Sequence, residues 1–74
     1  MKYYQIFAIE NNHAEIIFGD HDKAAVLFEI QAMRDSGIMK KNIKMVTLAS
    51  SDQKLVDAAF MVFRKQTFTP VDHC

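Results

Sequence analysis

The stretch Gly19–Lys23, GDHDK, holds the imidazole of His21 between the carboxylates of Asp20 and Asp22. Imidazole and carboxylate groups are common ligands of transition metals and frequent carriers of general acid–base catalysis. A metal site would need three or four such groups to converge, yet His21 and Asp22 are sequence neighbours that point to different sides of a helix. Only His13 could join them, and no HxxxH or CxxC spacing accompanies the stretch.

The start of a helix accounts for the same residue types. A helix that begins at His21 leaves its first backbone N–H groups without partners, and Asp20 at the N-cap can accept from one of them. Asp22 in the first turn then lies at the positive end of the helix dipole. We therefore predict that both carboxylates serve the helix start, that His21 is exposed, and that the stretch holds neither a metal nor a catalytic residue.

The last three residues, Asp72–Cys74, place His73 next to the only cysteine of the chain. Such a pair could form a thiolate nucleophile or bind a soft metal, but an active thiol needs a base that is held in place. The final residues of a domain are usually mobile, so we predict no catalytic role and leave open a redox or intermolecular link. Because the sequence also lacks GxSxG, P-loop and Rossmann glycine patterns, it predicts neither an enzyme nor a cofactor.

The first twenty residues predict a β-hairpin. Its two strands, Lys2–Ile9 and Ala14–Gly19, are rich in β-branched and aromatic residues, and Asn11 and Asn12 between them tolerate the positive φ of a tight turn. This turn predicts the cross-strand pairs Phe7–Ile16, Ile9–Ala14 and Gln5–Phe18 on one face of the sheet, and Ile6–Ile17 and Ala8–Glu15 on the other.

The rest of the chain predicts two helices and one more strand. The segment His21–Asp35 contains no Gly or Pro and is full of helix formers, and Gly37 is placed to end that helix. A third strand is predicted at Ile43–Ala49. The second helix is predicted at Ser50–Lys65, where the first residue and Gln53 have the spacing of a capping box.

These elements predict a single small α+β domain, ββαβα, with a three-stranded mixed sheet and two helices packed on one face. We expect the first strand in the middle of the sheet, with the second and third strands parallel to each other at its edges. An order with the second strand in the middle is the alternative. Residues 1–66 are predicted to form the folded core, and residues 67–74 a flexible C-terminal tail.

Composition and charge exclude several classes of protein. A chain of 74 residues makes one domain near the lower limit at which a core alone offsets chain entropy. Nine Lys and Arg balance nine Asp and Glu, so no global field draws the protein to nucleic acid or to an anionic membrane. The N-terminal segment resembles neither a signal peptide nor a membrane span, and the single cysteine fits a reducing compartment, so we predict a cytoplasmic protein.

The chain carries more apolar residues than one covered sheet face can bury. Because both helices are expected on one side, the other sheet face should expose several large apolar side chains, more than soluble monomers usually show. We therefore predict that a second copy or another protein covers it, with the chain's own Phe68 as the alternative cover. The predicted protein-binding residues are Tyr4, Ile6, Ala8, Ile17, Val46 and Leu48.

The first helix carries two apolar stripes, which Glu29 and Gln31 separate. One stripe can pack on the sheet, and part of the other is expected to meet the second helix. The stripes are Val26, Ile30 and Met33 with Leu27, and Ala24, Phe28 and Ala32 with Ala25.

Nucleic-acid binding is the alternative function. It would use a basic patch in which Arg34 precedes three lysines of the KKNIK segment, Lys40, Lys41 and Lys44. The aromatic residues Tyr3, Tyr4 and Phe7 could stack on bases. The zero net charge and the presence of Asp35 beside the patch favour an ordinary solvated loop instead.

The sequence as a whole predicts a non-catalytic protein-interaction module. We expect a small intracellular regulator, inhibitor or adaptor that forms a homodimer, or binds another protein, through its apolar sheet face. We infer no small-molecule substrate, and we expect no cofactor, no metal and no membrane.

Overall fold

The computed structural model describes residues 1–68, and the chain folds in the predicted order ββαβα. A short 3₁₀ turn at Lys40–Asn42 precedes the last strand. The strands and helices are β1 (Tyr3–Glu10), β2 (His13–Asp20), α1 (Lys23–Asp35), β3 (Ile43–Leu48) and α2 (Gln53–Phe68).

The three strands form one sheet in the order β2-β1-β3, which confirms the α+β class and the central position of β1. Both hydrogen-bonded pairs, β1 with β2 and β1 with β3, are antiparallel. The sheet is therefore antiparallel rather than mixed, because the two strands that run parallel to each other, β2 and β3, lie on either side of β1. The hairpin turn is also as predicted, since Asn11 and Asn12 adopt φ angles of 53° and 64°.

The prediction that both helices pack on one face is wrong. Helix α1 buries Val26 and Met33 against Ile6 and Ala8 of β1, whereas α2 packs on Phe7. Because successive side chains of a strand point to opposite faces, the two helices lie on opposite sides of the sheet. The central strand explains this arrangement, since Ile6, Phe7 and Ala8 are all fully buried and a strand buried on both faces needs cover on both.

The hairpin follows the predicted register only near its turn. The observed pairs there are Phe7 with Ile16, Ala8 with Glu15 and Ile9 with Ala14. Beyond them the register shifts by one residue at a bulge, so Ile6 pairs with Phe18 rather than with Ile17. The bulge turns both Ile17 and Phe18 towards the α1 side of the sheet, where they pack against its core.

The bulge is held by the buried side chain of Gln5, whose Nε2 donates to the carbonyl of Phe18 at 2.9 Å and to that of Ile6 at 3.2 Å. A bulge interrupts the strand ladder locally, so a side-chain donor at this point satisfies a backbone acceptor. Gln5 pairs with Gly19 rather than with the predicted Phe18. A Cβ on Gly19 would overlap the Tyr3 hydroxyl and the Gln5 side chain, so any larger residue there requires one of these side chains to move.

Each helix begins two or three residues later than predicted. Strand β2 continues to Asp20, and the N-cap of α1 is Asp22, whose side chain accepts from the backbone of Ala24 at 3.0 Å. Asp52 does the same for α2, accepting from the backbone of Lys54 at 3.0 Å. The predicted partner of the capping box, Gln53, donates instead to Asp57 at 2.9 Å, one turn further along α2.

The two strand-to-helix units, β2 with α1 and β3 with α2, have the same local arrangement, and their corresponding residues are thirty positions apart. Asp22 and Asp52 occupy corresponding positions, and the buried residues Val26 and Met33 of α1 correspond to Val56 and Phe63 of α2. Since β2 and β3 are parallel and flank β1, a half-turn about β1 approximately exchanges the two units. The sheet thereby has two small cores, one under each helix.

The observed C-terminal ends of the helices agree only in part with the ends predicted from the sequence. Ser36 caps α1, and Gly37 follows with a φ of 107°, as expected for a glycine that ends a helix. Helix α2 runs to Phe68, past the predicted boundary at residue 66. The expected roles of Asp72–Cys74 and of the Phe68 side chain fall outside the part of the chain described.

Candidate functional site

The carboxylates of the GDHDK stretch serve the backbone at the start of α1. Asp20 Oδ1 accepts from the N–H of Asp22 at 2.9 Å, and Asp22 in turn caps the helix. The predicted cap role therefore passes from Asp20 to Asp22, because β2 extends further than expected. One oxygen of each carboxylate therefore accepts a hydrogen bond from a backbone N–H.

His21 is exposed, as predicted, but it also fastens the N-terminus to the start of the helix. Its Nδ1 donates to the carbonyl of Lys2 at 2.8 Å, which fixes the proton on that nitrogen because a carbonyl oxygen only accepts. The ring meets Tyr3 edge-on, with centroids 5.0 Å apart. These contacts give His21 a structural role.

A metal at this stretch would need ligands from elsewhere. Within residues 1–68, no three His, Cys, Asp or Glu side chains are grouped closely enough to hold one. His13 lies at the opposite end of β2 from Asp20, which is roughly 23 Å away at about 3.3 Å per residue. It therefore lies too far away to join His21.

The cap assignment gives a measurable difference between two neighbouring aspartates. We expect Asp22→Ala to lower the free energy of unfolding by about 1 kcal/mol, because it leaves a first-turn N–H unsatisfied. Asp52→Ala is the matched change on the other helix and should have a similar effect. Urea denaturation followed by circular dichroism measures both. If Asp20→Ala lowered the free energy of unfolding by this amount and Asp22→Ala did not, Asp20 would be the N-cap residue instead.

The predicted sheet-face surface is not open. Ile6 and Ala8 are fully buried beneath α1, and Tyr4 and Ile17 pack against the same cluster. The other two predicted residues, Val46 and Leu48, lie on the opposite face and pack with α2. The premise of one uncovered sheet face is therefore wrong, because each helix covers one side.

The residues of the predicted basic patch are divided between the faces. Lys40 and Lys41 are exposed in the 3₁₀ turn, and Arg34 is exposed near the end of α1. Lys44 pairs with Phe7, which places it on the α2 face. Phe7 itself is fully buried and cannot stack on a base. This arrangement does not favour nucleic-acid binding, which stays a prediction.

Five of the eight exposed large apolar side chains in the described part of the chain lie on the outward sides of the helices. The most exposed of these side chains on a helix is Phe28 of α1, at 76%, and its neighbour Leu27 is 48% exposed. The second apolar stripe predicted from the sequence runs through Phe28, but its predicted contact with α2 does not form. That contact is excluded because α2 lies across the sheet.

We define the outer face of α1 as its solvent-exposed side opposite Val26 and Met33. Phe28 lies at the middle of this face, with alanines one turn before and one turn after it. The Gln31 side chain donates to Asp35 Oδ1 at 2.9 Å along the same side. The outer face comprises Ala24, Leu27, Phe28, Gln31, Ala32 and Asp35.

Helix α2 also exposes apolar side chains, but lysines flank them. We define the outer face of α2 as Lys54, Leu55, Ala58, Met61, Val62 and Lys65, all of which are exposed. Leu55, Met61 and Val62 are 37%, 52% and 55% exposed. The largest exposed apolar side chain on this face is therefore smaller, and less exposed, than Phe28.

No helix within residues 1–68 has both the length and the apolar character that crossing a membrane would require. Comparison with protein-family models, with curated proteins and with solved structures found no match.

Proposed function

We propose that this chain is a non-catalytic protein-interaction module whose binding surface is the outer face of α1. The observation that carries the proposal is the exposure of Phe28, three-quarters of whose surface is in contact with solvent at the centre of a folded helix. Large apolar side chains clustered on a surface are typical of contacts with other proteins.

The energy available at this position is considerable. A phenylalanine buries about 150–250 Å² when fully covered, so covering the exposed part of Phe28 removes roughly 150 Å² from water. At about 25 cal/mol per Å², that burial contributes roughly 4 kcal/mol before the entropic losses of association. One such residue, with Leu27 beside it, can act as the anchor of an interface.

The small cores support the same conclusion. Each contains few fully buried apolar side chains, while eight large apolar side chains in the described part of the chain stay exposed. The free energy of unfolding of so short a chain is small. We therefore expect the apolar residues outside its cores to contact another macromolecule. As such a module, the chain would act as a regulator, inhibitor or adaptor by occupying a partner's surface. We place it in the cytoplasm, since its one cysteine permits no internal disulfide.

Site-specific photo-crosslinking in the cell of origin tests this proposal. Phe28→benzoylphenylalanine puts the reactive group on the outer face of α1, and Lys41→benzoylphenylalanine puts it on the exposed 3₁₀ turn as a matched control. We expect a discrete protein adduct from position 28 that is missing from position 41. Adding Leu27→Glu should abolish the adduct by placing a charge in the interface. No adduct at position 28, or the same adducts at both positions, would refute the proposal.

A further inference from the structure

We draw no further inference here: the strongest candidate, the apolar surface patch around Phe28 on the outer face of α1, belongs to the site already described, and nothing in the structure shows what covers it.

Discussion

Phe7→Ala is expected to leave the chain largely unfolded at room temperature. Phe7 is fully buried at the centre of the sheet, and its ring centroid lies 5.4 Å from those of both Phe60 and Phe63 of α2. Truncating a buried phenylalanine costs about 3–5 kcal/mol, because the transfer energy is lost and a cavity stays behind. A domain of this size is stable by roughly 3–5 kcal/mol in all, so the change removes most of that stability.

Two controls separate the role of Phe7 from a general loss of aromatic surface. Phe28→Ala deletes the same atoms from an exposed site and should change the free energy of unfolding by less than about 0.5 kcal/mol at concentrations where the chain is monomeric. Phe7→Leu keeps most of the volume and should be much milder than the alanine variant. Urea denaturation with circular dichroism measures all three. If Phe7→Ala and Phe28→Ala unfold at the same urea concentration, α2 does not pack on the sheet as described.

Gly19→Ala is expected to lower the free energy of unfolding by about 2–3 kcal/mol. The added Cβ overlaps the Tyr3 hydroxyl and the Gln5 side chain, so at least one of them must move. Tyr3 is held by its edge-on contact with His21, and moving Gln5 breaks its hydrogen bond to the Phe18 carbonyl. A buried amide without its partner accounts for a large part of the expected loss.

A double-mutant cycle identifies the clash. In a Tyr3→Ala background, Gly19→Ala should lose at most half as much stability as in the parent, because one of the overlapping groups is gone. Gly37→Ala is the matched control, since Gly37 has a positive φ but no atoms near its added Cβ, and we expect about 1 kcal/mol from backbone strain alone. An equal effect of Gly19→Ala with and without the Tyr3 ring would show that the overlap is not the cause.

The candidate surface could be recognised from the sequence only in part. The second apolar stripe of α1, which includes Phe28, is visible in the spacing of its residues, and so is the surplus of apolar side chains. The prediction that this surplus lies on the sheet is wrong because the two helices cover opposite sides. An available signal was the run Ile6–Ala8, which is apolar without alternation and is typical of a strand covered on both faces.

Local sequence determined what depends on a few neighbouring residues: the order of elements, the tight turn at Asn11 and Asn12, and the end of α1 at Gly37. These features follow from periodicity and from backbone preferences, which act over one or two turns of chain. Only the tertiary structure decided which face each helix covers, where the hairpin bulges beside Gln5, and that Phe28 stays outside both cores. These features depend on contacts between residues that are far apart in the chain. No local sequence pattern predicts the relative energies of such contacts.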